Sequence, residues 1–164
     1  MIRAATTEDA ERIAAIYNEG IADGTATFET AARTPGDVRN WLVDRLPLIV
    51  AVEDGEIVGF ARVGAYSERE VYRGIGEHAV YVAREARGRG LGRGLLDGVA
   101  AEAERRGYYK LTSRIFADNA SSLAAHRAAG FAEVGVQRNH GRLDGAWKDC
   151  VLVERLLGEA AAGG

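Results

Sequence analysis

An α/β fold built on a mixed sheet is what this sequence predicts, and three observations carry the prediction. Short apolar runs of strand length alternate with segments whose apolar residues recur at helical spacing. Two-residue turn signals, Asp54-Gly55 and Asp144-Gly145, separate some of the strands. The element order reads β-α-α-β-β-β-α-β-α-β-β, which combines hairpin connections with crossovers and therefore mixes antiparallel with parallel pairs.

Taken in order, Ile2-Arg3-Ala4-Ala5 is a short first strand. Thr6 or Thr7 caps a helix, with Glu8 and Asp9 in its first turn and Ala10, Ile13, Ala14, Ile16 and Tyr17 as its apolar face. Asn18-Glu19-Gly20 is expected to end or bend it. A loop, Gly24 to Thr30, carries one large aromatic, Phe28. Thr34-Pro35-Gly36-Asp37 opens a second helix with Val38, Trp41, Leu42 and Leu46 inward, and Pro47 stops it. Leu48–Val52 and Glu56–Val63 form a hairpin about Asp54-Gly55. A polar connection, Ser67 to Arg73, and then Gly74-Ile75-Gly76 lead to the central strand, Glu77–Val82.

A helix from about Leu91 to Arg106 follows, with Leu95, Leu96, Val99, Ala100 and Ala103 buried and Gly107 at its end. Lys110–Phe116 is a strand. Asp118-Asn119 caps the helix Ala120–Ala129, which Gly130 terminates. Phe131–Gln137 and Cys150–Glu154 close the sheet. Residues 1–157 read as one domain, and the alanine- and glycine-rich tail, 158–164, is expected to fray.

The totals bound the function. A chain of 164 residues makes about one domain and buries ~70% of its unfolded surface. A net charge of −3 gives no reason to expect a nucleic-acid partner. The single cysteine, Cys150, cannot form an internal disulfide and suits a reducing cytoplasm, where it reads as a small buried strand residue. No signal peptide and no apolar run of ~18 residues is found, so neither export nor a membrane span is expected.

Against this acidic background one basic stretch stands out. The apolar Val80-Tyr81-Val82 runs into Ala83-Arg84-Glu85-Ala86-Arg87-Gly88-Arg89-Gly90-Leu91-Gly92-Arg93, and a helix starts at once. Alternate glycines let backbone N–H groups come close to a ligand, the helix presents its positive end, and the arginines add charge. The composition also suits a solvated loop, but the flanking strand and helix favour a seat for a phosphate. The chain contains no Gly-Lys pair, which excludes a Walker loop. The Gly-x-Gly-x-x-Gly register fails from both Gly88 and Gly90, which excludes the dinucleotide fingerprint.

What remains, Arg87-x-x-Gly90-x-Gly92 after a strand, resembles the acetyl-CoA pyrophosphate loop of the GCN5-related N-acetyltransferases. The element order is similar to theirs over nearly the whole chain. Tyr66-Ser67-Glu68-Arg69-Glu70-Val71-Tyr72, Glu77, Asn119 with His126, and Gly145-Ala146-Trp147 resemble the phosphinothricin acetyltransferase branch, and His140 to Gly145 looks closer still to the arsinothricin type. The resemblance implies a sheet whose central strands splay around acetyl-CoA. It implies acetyl transfer to the α-amine of a glutamate analogue such as phosphinothricin, arsinothricin or methionine sulfoximine, which detoxifies it. No metal is called for, and relatives of this kind are commonly dimers.

The resemblance also assigns residues. The backbone of Val80, Tyr81 and Val82 would pair with the pantetheine arm and face the thioester oxygen. Arg87, Gly88, Arg89, Gly90, Leu91, Gly92 and Arg93 would hold the diphosphate. Asn119 would contact the cofactor arm, and it also reads as a plain helix cap. Glu77 is the candidate base for the acceptor ammonium, directly or through a water. His126 falls where many relatives carry a tyrosine acid for the departing thiolate; it either acts as that acid or packs in its helix. Arg69 and Tyr72 match positions that grip an anionic substrate end, and Phe28 would pack against its aliphatic part. Where the family has a histidine near the Gly-x-Trp segment, this chain has Asp144, with His140 close by. Of Ser113 and Arg114, alternation lets only one face the pocket.

Two rival readings stand beside this one. A polyamine or protein-N-terminus acetyltransferase would share the donor site, but a polyamine pocket should be rich in carboxylates, whereas Arg69 suits an anion. A non-catalytic acetyl-CoA sensor would have no need of Glu77.

Overall fold

The computed structural model describes residues 1–163. Seven strands form one sheet in the order β1-β2-β3-β4-β5-β7-β6. They are β1 (Ile2–Ala4), β2 (Leu48–Glu53), β3 (Glu56–Ala65), β4 (Ile75–Val82), β5 (Lys110–Phe116), β6 (Ala132–Leu143) and β7 (Ala146–Leu156). The helices are α1 (Ala10–Asp23), α2 (Pro35–Val43), α3 (Leu91–Arg105), α4 (Ala120–Ala128) and the short α5 (Gly158–Ala162). Strands β4 and β5 are parallel and every other neighbouring pair is antiparallel.

The sheet opens in its middle. β4 and β5 pair only from Ile75↔Lys110 to Glu77↔Thr112, although β4 runs on to Val82 and β5 to Phe116. β3 stays paired with β4 as far as Gly59↔Val82, so the second edge of residues 78–82 faces the gap.

Alternation sorts the side chains. Phe60, Arg62 and Gly64 on β3 share one face with Glu77, Ala79 and Tyr81 on β4 and with Thr112, Arg114 and Phe116 on β5. Helices α1 and α2 cover that face: Tyr17 and Trp41 pack against Phe60, and Tyr17 lies 4.8 Å from Tyr81 between ring centroids. Leu95 of α3 covers the other face, and there a Cβ on Gly59 would come within 2.8 Å of it. Ile13, Ile16, Phe60, Leu95, Leu96 and Leu111 are fully buried, each contributing on the order of 1.5–3 kcal/mol.

Several elements depart from the sequence reading for physical reasons. Helix α1 does not break at Gly20 but runs to Asp23 and closes on Gly24 at φ 66°. Gly20 is there to make room: a Cβ would lie 2.8 Å from the Tyr81 ring. Helix α2, with the reciprocal cap between Thr34 and Asp37, ends at Val43, before Leu46 and Pro47, and Arg45 already adopts φ 57°. The last two strands run right up to their turn, β6 to Leu143 and β7 from Ala146, because Asp144-Gly145, at φ 50° and 80°, makes a tight turn whose twist matches the flanking strands. Residues 158–162, read as part of a fraying tail, form the short α5, helped by alanine and by Glu159 in its first turn. Gly164, the end of that tail, lies outside the described residues.

Candidate active site

The gap between β4 and β5 widens into a cleft of about 640 Å³. Gly88 and Gly90 at its rim have φ of 80° and 79°, a region costing other residues on the order of 1–2 kcal/mol. Gly90 is the N-cap of α3, so the amides of Leu91, Gly92 and Arg93 lack intrahelical carbonyls and gather at the cleft with the positive end of the helix. Val80, Tyr81 and Val82 form the opposite wall. The seat therefore suits a diphosphate: bare amides, a helix terminus and flanking guanidinium groups.

Those guanidinium groups are occupied by the protein itself. Arg84 and Arg87 both bind Asp23, at 2.7 and 2.8 Å, and their hydrogen bonds, Arg84 first, hold its carboxyl below the usual range. Arg93 lies 3.8 Å from Asp97. Arg89 turns away from the cleft lining, bonded to Glu53 at 2.8 Å and to the Glu85 carbonyl.

Asn119 fulfils its capping role and lines the cleft as well. Its Oδ1 accepts from the Ser122 amide, and its Nδ2 donates to the Thr25 carbonyl at 3.1 Å, which ties α4 to the loop before Phe28. His126, two turns further on, is buried against His78, with the two Nε2 atoms 2.9 Å apart. Since the Ser122 carbonyl can only accept, the proton of His126 sits on Nδ1 and its Nε2 accepts from His78. His78 Nδ1 is left without a hydrogen-bond partner. Burial lowers the pKa of both rings and brings His78 down to about 3, with repulsion from His126 adding to it and the Thr112 backbone pulling weakly the other way.

Glu77 is exposed and occupies the last paired rung before the strands part. Arg114, rather than Ser113, shares its face, but both residues line the cleft, against the expectation that only one would, because the open edge of β5 admits the cleft from both sides; Arg114 Nε donates to Gln137. Phe28 lies on this side too, edge-on to Phe116 at 4.7 Å, in a small cluster with Leu143 and Cys150. Burial raises the Cys150 thiol pKa, as suits the inert packing residue expected. Arg69 is exposed on the turn before β4, its guanidinium 5.3 Å from the Tyr72 ring centroid. Asp144 belongs to the hairpin turn, and His140 is exposed on β6.

The model of the acetyltransferase (GNAT) family matches residues 13–131. The chain belongs to that family. As an acetyl-CoA-dependent N-acetyltransferase it is 35% identical over 161 residues to a phosphinothricin N-acetyltransferase of Alcaligenes faecalis, covering 95% of this chain and 82% of that one. The crystal structure of a phosphinothricin acetyltransferase from Sinorhizobium meliloti in complex with AcCoA superimposes with a TM-score of 0.91 at 30% identity, covering 99% of this chain and 90% of that one. The structure of a ribosomal-protein-alanine N-acetyltransferase from Brucella melitensis gives 0.90 at 35% identity, with 96% and 99% covered. The splay of the sheet expected from the family resemblance is present in the acetyltransferase's own strand register.

Two features of the site escaped the sequence reading. Asp23 bridges Arg84 and the cleft-lining Arg87 from the end of a helix more than sixty residues away, and nothing local announces it. Arg62 faces inward among aromatic rings, and its signal was available: in Phe60-Ala61-Arg62-Val63 the arginine falls in register with a core phenylalanine.

Proposed function

We propose that this acetyltransferase moves the acetyl group of acetyl-CoA to the α-amine of a small amino-acid analogue of the phosphinothricin, arsinothricin or methionine sulfoximine type, and so detoxifies it. The observation that carries this reading is Glu77 on the last paired rung of β4, where β4 and β5 part. Acetyl-CoA supplies an activated acyl group there. Glu77 takes the proton of the acceptor ammonium, directly or through a water, a contribution of about 10²–10⁴-fold. The backbone of Val80, Tyr81 and Val82 offers its free edge to the pantetheine arm and an N–H to the carbonyl oxygen. The amides of Gly88 and of Gly90 through Arg93, with Arg87, hold the diphosphate, and Arg89 backs the loop from outside. Asn119 holds the arm. Arg69 and Tyr72 grip the polar end of the acceptor, and Phe28 supports the loop above its aliphatic part.

His126 is assigned to the cleft wall. Its one proton is committed to the Ser122 carbonyl and burial keeps the ring neutral, so it has none to give at neutral pH. A thiol with a pKa of ~8.5 is a tolerable leaving group without a strong acid. We also assign the protein to the cytoplasm, as a homodimer joined through β6. That strand is the twelve-residue edge of the sheet and leaves Val134 and Val136 more than half exposed.

The resemblance to the ribosomal-protein-alanine enzyme favours a second reading, acetylation of a protein N-terminus. A thiol-release assay with phosphinothricin, methionine sulfoximine, arsinothricin, spermidine and an alanine-initiated peptide separates them. Turnover of an amino-acid analogue, abolished in Glu77→Gln while coenzyme A still binds, is expected. Preference for the peptide, or full activity of Glu77→Gln at neutral pH, overturns the proposal.

A further inference from the structure

Arg62 carries a guanidinium that the protein leaves without a polar partner. It stacks on Trp41, with Cζ 3.9 Å from the ring centroid. Among the described residues no carboxylate lies within 4.0 Å of it and no acceptor takes a hydrogen bond from its five N–H donors. Its nitrogens nonetheless keep some contact with solvent, since the one fully buried side-chain polar atom without a partner among the described residues is His78 Nδ1. Burial among aromatic rings, with Arg33 adding to it, pulls the Arg62 pKa down, while Tyr17, Tyr81 and Glu77 oppose that shift. A cation held this way, desolvated on one side and accessible on the other, gains more from an arriving anion than a surface arginine does.

Its position is specific. The guanidinium reaches along β3 to Gly64, where a Cβ would sit 3.3 Å from Nη2, and Gly64 is the register partner of Glu77. Arg62 and Glu77 are diagonal neighbours on one face of the sheet, on the order of 7–8 Å apart. They do not close into a salt bridge. A fixed cation and a fixed carboxylate kept apart on one surface are complementary to a small zwitterion.

We propose that Arg62 binds the α-carboxylate of the acceptor and thereby presents its α-ammonium to Glu77. The inference rests on the functional reading above and narrows it: the acceptor is a free α-amino acid, and a masked carboxylate is rejected. Trp41 holds the guanidinium plane, and the missing side chain at Gly64 keeps the path clear.

The test compares the best amino-acid acceptor with its own α-carboxamide. The carboxamide's amine is less basic, so intrinsic reactivity favours it. The enzyme is expected to prefer the free acid instead, and Arg62→Gln is expected to reduce the acid-to-carboxamide ratio of kcat/KM by about tenfold or more, chiefly through KM. Arg62→Lys, which keeps the charge, should restore part of the ratio and covers the case in which Arg62→Gln fails to fold. Equal use of acid and carboxamide by the wild type, or a ratio unmoved in Arg62→Gln, overturns the proposal and leaves Arg62 as packing for Trp41. If no amino-acid analogue is acetylated at all, the functional reading itself fails, and this inference with it.

Discussion

The imidazoles of His78 and His126 meet Nε2 to Nε2 at 2.9 Å behind the cleft, both rings shut away from solvent, and Phe131 packs against both. A strand residue of β4 and a helix residue of α4 are thereby joined across the wall of the opening.

That pair should make stability depend on acidity. Folded His78 has its pKa depressed from 6.5 to about 3, so below pH 6.5 the unfolded chain takes up a proton that the folded one refuses. The stability associated with the neutral ring is complete above pH 6.5 and is lost as pH falls from there toward 3. The slope approaches about 1.4 kcal/mol per pH unit for this one ring. Urea unfolding between pH 7.5 and 4.5 should show it, and His78→Gln should flatten the slope even where it lowers the midpoint.

Gly90→Ala places a side chain at φ 79° on the rim of the proposed diphosphate seat. The KM for acetyl-CoA should rise about tenfold, matching on the order of 1–2 kcal/mol of backbone strain transferred to the binding loop. Gly92→Ala serves as the comparison, because its Cβ meets Ala125 at an ordinary 3.5 Å. Thermal unfolding of the two variants should show that Gly92→Ala preserves the fold.

Gly76→Ala drives a methyl group to 2.3 Å from Val63 and 3.1 Å from Leu111, just where β4 and β5 are still joined. Overpacking at this hinge should cost about 1–3 kcal/mol in denaturant unfolding. Because the rung beside it carries Glu77, kcat should fall along with stability.

Val136→Lys on the outer strand should convert the proposed β6 dimer to a monomer in sedimentation velocity while leaving the far-ultraviolet circular dichroism unchanged. A dimer that persists would locate the contact elsewhere on the surface.

Much of this was legible in the chain because the signals are local. Thr34 with Asp37, the Asp54-Gly55 turn and the glycine loop ahead of α3 each declare themselves within a few residues. The continuation of α1 through Gly20 was not, since the reason lies in the ring of Tyr81, sixty-one positions later. For the same reason the sequence left His126 open between an acid and a packing residue, because its commitments are set by Ser122 on its own helix and by His78 on a strand. Arg62 was legible in principle from alternation, and its lack of a partner required the fold.

The arginines around the glycine loop are already matched with Asp23, Glu53 and Asp97. At the proposed seat, docking of a diphosphate would therefore be an ion exchange: its oxygens would take Arg87 over from the resident Asp23 instead of displacing a cloud of salt. The affinity for coenzyme A should respond only shallowly to ionic strength, and Asp23→Asn, by removing the resident competitor, should make that response steeper.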